Sequence, residues 1–290
     1  MNPTLAGFAA IAMWSMLAWL TTLTGQVPPF LLLALSFAIG TLVGLGVMAL
    51  KPPSAAEFML PKAVWLVGIG GLFGFHFFYY TALRHAPAAE ASLISYLWPL
   101  LIVLFASLLP GERLRWFHLA GAILGFLGAA LLIIGRMETG LTIEGGWLGY
   151  GSALACALIW SAYSVISRLF QETSTNAVTV YCLATAVLAA LCHLVFETTI
   201  WPANSSQWLA VLGLGLLPVG LAFYAWDYAM KRGPIQLIGS AAYFAPLLST
   251  ALLMVAGQAR ADWRLAAAAL LITAGAVLAS GRLASQRSGP

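Results

Sequence analysis

The chain has 290 residues, 62% of them hydrophobic and 8% charged, with a mean hydropathy of +0.94. A soluble domain carries about 25% charged residues, so these charges are too few to cover a water-facing surface. The net charge of +4 comes from basic residues placed singly or in pairs in short connections; this excludes a basic patch tracking a nucleic-acid backbone and fits the cytoplasmic bias of membrane proteins.

In chain order, apolar runs predict helices at 5–24, 29–50, 63–83, 91–109 and 117–135, then at 147–168, 177–197, 208–230, 235–256 and 264–282. Each is close to the length of about 20 residues that crosses a bilayer. In lipid the backbone must satisfy itself within the segment, so helices are expected and strands are not. The first run lacks a basic leader and reads as a retained span, not a cleaved signal. Connections such as Gln26-Val27-Pro28-Pro29 and Arg232-Gly233-Pro234 carry the expected helix-breaking residues. Cys156, Cys182 and Cys192 fall inside predicted spans without metal-ligand spacing, so they read as small apolar core residues. The expected fold is all-α integral membrane, with ten transmembrane helices.

The same pattern occurs twice. Phe77, Arg84, Pro87, Tyr96, Pro99, Trp116 and Gly128 align at an offset of 147 with Tyr224, Lys231, Pro234, Tyr243, Pro246, Trp263 and Gly275. Trp14-Ser15 meets Trp160-Ser161 at an offset of 146. Residues 1–136 and 147–283 thus form two five-helix repeats. An odd number of spans makes the second repeat enter the membrane from the opposite face, giving two inverted five-helix repeats with the substrate site near the midplane.

Ten spans put both termini on one face. Lys51, Lys62, Arg113, Arg115, Arg168, Lys231, Arg232, Arg282 and Arg287 then share that face, and Arg84, Arg136, Arg260 and Arg264 the other. The excess of basic residues places both termini in the cytoplasm. Trp116, Trp147, Trp201, Trp208 and Trp263 lie near helix ends and read as belt residues at the headgroup level. Small-residue pairs such as Gly40/Gly44 and Gly121/Gly125 favour close packing within the chain over dimerisation.

A second aromatic set lies away from the ends: Trp14, Trp98 and Trp160, with Tyr96, Tyr163, Tyr224, Tyr243 and Phe244. Taken singly, each is as readily a core residue; their polar tips still need partners in lipid, and their number favours a cavity. His76, Tyr79 and Tyr80 are spaced to share one helix face. An imidazole in a span faces either a cavity or a buried partner. His193 has no comparable company in its run.

Pro99 and Pro246 occupy equivalent positions, and each removes a backbone donor and frees a carbonyl one turn earlier. They read as ligand-binding breaks, as bending points, or as static kinks. Asp227 is four residues before Lys231, the spacing of a same-face ion pair. It reads as a structural anchor, with a proton-coupling carboxylate as the other possibility. Arg84 and Glu90 read as outer-surface charges or gate elements, and Glu112 with Arg113 and Arg115 as a solvated inner loop.

A cationic cargo in low dielectric needs an opposing fixed charge, and few acids are available within these spans. The expected cargo is a small, neutral or zwitterionic, partly apolar molecule held by aromatic walls, hydroxyls and an imidazole. No metal or cofactor is expected. An enzyme is not expected either, because no nucleophile, base and acid are grouped.

With these residues in place, the chain resembles the drug/metabolite transporter superfamily, with two EamA-type repeats over nearly its whole length. The marks are the Trp-Ser of each half, Tyr79 and Arg84 leading into Ala86-Pro87-Ala88-Ala89-Glu90-Ala91-Ser92, then Pro99 and the Gly111-Glu112-Arg113 turn. The resemblance implies a ten-helix inner-membrane carrier that exports aromatic and other neutral amino acids by alternating access. It places Trp14, His76, Tyr79, Tyr96, Trp98 and Trp160 in the substrate cavity. Tyr163 and Tyr243 join them as candidate substrate-binding residues, and Pro99 and Pro246 as conformational ones. The alternative cargo is a drug or other metabolite, with proton coupling through Asp227. Two departures stand out: Ser36 lies where many relatives carry an arginine, and Gln258-Ala259-Arg260 lacks the acid of the first half's turn.

Overall fold

The computed structural model describes residues 2–134, 146–258 and 263–280. Arg136, Ala259, Arg260, Arg282 and Arg287 lie outside the described residues. Among the described residues all regular structure is helical. The helices are α1 (Pro3–Ser15), α2 (Leu17–Thr22), α3 (Pro29–Leu50), α4 (Lys62–His85), α5 (Ala88–Ser95), α6 (Trp98–Ala106) and α7 (Trp116–Ile134). They continue as α8 (Trp147–Ile166), α9 (Ala177–Phe196), α10 (Ser205–Leu216), α11 (Ala222–Arg232), α12 (Ile235–Ala241), α13 (Phe244–Val255) and α14 (Trp263–Ala279).

Among the described residues, 8 helical stretches are long and apolar enough to cross a membrane, and Glu90–Ala106 and Trp263–Ala279 are shorter apolar ones. Three expected spans are interrupted. The first breaks at Met16, between α1 and α2. The fourth and ninth break at equivalent points, just before Pro99 and Pro246. A proline has no N–H to give to the preceding turn, which is why each helix restarts there. The eighth keeps its path but loosens into a π-helical stretch, Leu217–Leu221, around Pro218.

The chain divides into two compact units, Met1–Gly74 with Ile166–Arg232 and Phe75–Val165 with Gly233–Pro290. Each therefore draws on both sequence repeats.

In the first unit α3 packs on α9, and α1 on α11. Glu197, just past α9, accepts hydrogen bonds from the Phe30 and Leu31 N–H groups in the first turn of α3. At the other end Asn176, just before α9, donates to Glu57, beyond α3, at 2.9 Å. The two helices are therefore antiparallel. Glu57 lies in a short turn outside the spans; hydrogen bonds from Ser174, Asn176 and the Ser54 backbone hold its carboxyl below the usual range.

In the second unit α7 packs on α14. A methyl group added to Gly121 would fall 2.5 Å from the Gly275 carbonyl oxygen, and one added to Gly128 would fall 3.0 Å from that of Ala268. As α7 ascends α14 descends, so this pair is antiparallel too. The contact is reciprocal, because Gly275 is the counterpart of Gly128 and Ala268 that of Gly121, at the 147-residue offset. Small residues are needed here because the backbones meet directly.

Gly121→Val is expected to destabilise the chain by about 1–3 kcal/mol, the usual result of overpacking. Gly46→Ala, where nothing lies within 4 Å of the added methyl, is expected to leave stability unchanged or slightly raised. Denaturant unfolding in detergent measures both.

Candidate functional site

The second unit brings most of the candidate residues together. The end of α4 carries Phe75, His76, Tyr79 and Tyr80; α8 carries Trp160 and Tyr163; α6 opens with Trp98. Phe75 is the pivot. Its ring centroid lies 5.1 Å from His76, 6.0 Å from Tyr79 in a stacked arrangement, and 5.4 Å from Trp160. Trp160 extends the file edge-on to Trp98 at 6.4 Å and in a tilted contact to Tyr163 at 5.2 Å. Edge and offset contacts of this kind suit the ring quadrupoles. Sequence reasoning missed Phe75, although its spacing of four to Tyr79 carried the signal.

Polar groups hold this file in place. The Tyr79 hydroxyl is hydrogen-bonded with Ser92 on α5. Ser161, which follows Trp160, has its hydroxyl 2.9 Å from the Trp98 carbonyl and 2.7 Å from that of Ala157, so one proton serves two acceptors. The contact with Trp98 ties the Trp-Ser pair of α8 to the start of α6. His76, Trp98, Trp160 and Tyr163 are buried, and Tyr79 and Tyr96 are half-buried.

Tyr96 and Tyr243 occupy equivalent helix breaks but different surroundings. Tyr243 is fully enclosed among Ala129, Phe126 and Ile272. Gly125 leaves the space its ring occupies, since an added methyl there would meet the ring at 2.4 Å. The Leu100 N–H, one residue after Pro99, donates to the Tyr243 hydroxyl at 3.2 Å. Tyr96 packs on the rim of the same cluster. Pro99 and Pro246 are both buried.

Trp14 belongs to the first unit. Its indole N–H donates to the Pro218 carbonyl at 3.0 Å, inside the π-helical stretch, and its ring lies 4.9 Å from Trp226 and 6.0 Å from Phe223. Tyr224 is a helix tie: its hydroxyl lies 3.1 Å from the Gly40 carbonyl and 3.1 Å from the Thr179 hydroxyl.

The first unit also holds two compensated charge clusters. Asp227 and Lys231 are buried, with Lys231 Nζ 2.9 Å from Asp227 Oδ2. Thr175 donates to the same oxygen at 3.0 Å, and Lys231 to the Thr173 carbonyl at 3.2 Å. His193 is not isolated, contrary to the expectation from its neighbours in the run. Its Nδ1 lies 2.9 Å from Glu197 Oε2 and its Nε2 2.9 Å from the Thr199 hydroxyl. Glu197 in turn caps α3, where a carboxylate is favoured by the helix dipole. In the second unit Glu112 is engaged as well, accepting from Gln236 at 2.7 Å. Among the described residues no three His, Cys, Asp or Glu side chains come together as a metal site.

The model of the EamA-like transporter family matches residues 3–134 and again 147–281. The chain belongs to the EamA-like transporter family. Among curated proteins it is 53% identical to the aromatic amino acid exporter YddG of Ancylobacter novellus, over 92% of this chain and 93% of that protein. It is 31% identical to the protein of the same name from Salmonella typhimurium, over 60% of each. A solved crystal structure of a chain 52% identical superposes with a TM-score of 0.92, covering 98% of this chain and 99% of that one. As an EamA-family member with these apolar helices, it is a multi-pass membrane protein.

Breaking one side of the Asp227–Lys231 pair leaves an uncompensated buried charge. Asp227→Asn and Lys231→Met are each expected to cost about 3–5 kcal/mol, and the double substitution markedly less than their sum. A double-mutant cycle in detergent unfolding checks this.

Proposed function

We propose that this chain exports aromatic and other neutral amino acids across the inner membrane by alternating access. The observation that carries the reading is the 53% identity, over 92% of the chain, to a protein named as an aromatic amino acid exporter. The aromatic file of Phe75, Trp160 and Trp98 fits such a cargo, offering ring faces and edges with few polar groups between them. An amino acid is neutral overall, so it needs no opposing fixed charge. The Lys231 ammonium already paired with Asp227 supports this cargo over a cationic one routed through that residue. Relatives named as transporters and exporters also favour a carrier over an enzyme.

Trp98, Trp160 and Tyr163 would then contact the cargo. His76, Tyr79 and Tyr96 would supply polar contacts. Tyr243 and the two prolines would act in the conformational change, since the Tyr243 hydroxyl engages the backbone beside Pro99. We also propose ten spans, with Glu90–Ala106 and α14 crossing as short ones. Residues 1–136 and 147–283 would be inverted repeats, with both termini cytoplasmic. What supports inversion is that sequence-equivalent helices pack antiparallel, α3 with α9 and α7 with α14.

Counterflow of labelled tryptophan in proteoliposomes tests the site. Tyr79→Phe removes one hydroxyl, worth about 1 kcal/mol or roughly fivefold in apparent affinity. Trp98→Ala removes an anchoring ring and is expected to weaken affinity by about tenfold or more. Unchanged counterflow in both variants would refute the site.

A further inference from the structure

The second unit holds a carboxylate that the aromatic file does not use. Glu90 lies in the first turn of α5 and is only 6% exposed, so it is not the surface charge its sequence position suggested. Its Oε2 accepts a hydrogen bond from the Tyr150 hydroxyl of α8. Its Oε1 is buried without any hydrogen-bond partner, and Glu90 forms no ion pair among the described residues. The other deeply buried acids differ. Asp227 also leaves one oxygen, Oδ1, without a hydrogen-bond partner, but its Oδ2 has the Lys231 ammonium and Thr175; Glu197 has His193 and two backbone N–H groups.

The surroundings narrow what Oε1 can bind. Ala91, the next residue, is fully buried with Ala82 of α4 and Ala153 of α8 in a cluster completed by Leu83, Ala86 and Ile94. Gly149 brings α8 against the end of α4 so closely that an added methyl would lie 2.4 Å from the His85 carbonyl oxygen. Among the described residues no three metal-ligating side chains gather there. A proton fits. The ionisable groups on the elements packed around α5 are few. Apart from Tyr150, α8 offers Tyr163 and Cys156, the latter hydrogen-bonded with Ser95. The nearby part of α4 carries Tyr79 and Tyr80, with Arg84 and His85 exposed at its end, and α7 carries only His118 in its first turn. An ionised carboxylate enclosed without a cation is costly, whereas a hydrated one is not.

We propose that Glu90 is a proton-exchange site of this carrier. Oε1 takes a proton from water as the site closes, and returns it to water when the site opens. Tyr150 holds the other oxygen throughout. Coupling of this exchange to cargo rests on the alternating-access reading; the exchange itself does not.

Infrared difference spectroscopy of the full chain in liposomes, titrated with pH, tests the site. The wild type is expected to show a titrating carboxylic-acid carbonyl band that Glu90→Gln loses. Tyr150→Phe keeps the carboxyl but removes its donor, and is expected to shift that band and its titration. A band that survives in Glu90→Gln, or a Tyr150→Phe titration identical to wild type, overturns the proposal. Added tryptophan then separates the two readings. If it perturbs the Glu90 band, exchange is linked to cargo. If it leaves the band unmoved while Glu90→Gln still lacks it, the proton site stands and the coupling to amino acid export fails.

Discussion

Two helix pairs carry the fold, and each packs a helix against its own counterpart from the other repeat. In α7 and α14 the contact runs through Gly121 and Gly275, where the backbones meet with no side chain between them. In α3 and α9 it is sealed at one end by Glu197 on the start of α3 and at the other by Asn176 on Glu57. Both pairs are antiparallel. Packing of this kind explains why each compact unit takes segments from both repeats. It also explains why Tyr96 and Tyr243, equivalent in sequence, sit around one cluster in the second unit.

A second constraint acts on the polar groups. Lipid offers no hydrogen bonds, so whatever the spans bury must be satisfied by the protein. The Asp227 and Glu197 clusters answer it with cations, hydroxyls and backbone donors, leaving Asp227 Oδ1 without a partner. The aromatic file of the second unit meets it with single contacts, such as Ser161 on the Trp98 carbonyl. Glu90 differs from both clusters in being a carboxylate buried without a cation among the described residues, and ionisable groups held at such cost in a membrane protein are where function concentrates.

Much of this was legible in the sequence. Long apolar runs located the helices, the 147-residue offset paired α3 with α9 and α7 with α14 as counterparts, and Pro99 and Pro246 marked the broken helices. The spacing of His76, Tyr79 and Tyr80 placed them on one helix. Partners far apart in the chain were not legible: Tyr150 lies 60 positions from Glu90, and Glu197 lies 167 from Phe30. Glu90 looked like a surface charge because it follows a proline turn, yet small neighbours draw α8 over it. His193 looked isolated because only the neighbouring run was weighed, although Glu197 is one helical turn away. The interruption at Met16 has no proline or glycine to announce it. Pro218 was visible, but a π-helical stretch absorbs it without ending the helix.

The central claim is that the second repeat is inverted relative to the first, and labelling single cysteines from each side of the membrane tests it most directly. Ala56 and Ala203 are counterparts at the same offset, and both are exposed in connections between helices. With Cys156, Cys182 and Cys192 replaced, Ala56→Cys is expected to react with an impermeant maleimide only from the cytoplasmic face, and Ala203→Cys only from the opposite one. Labelling of both from the same face would contradict the account.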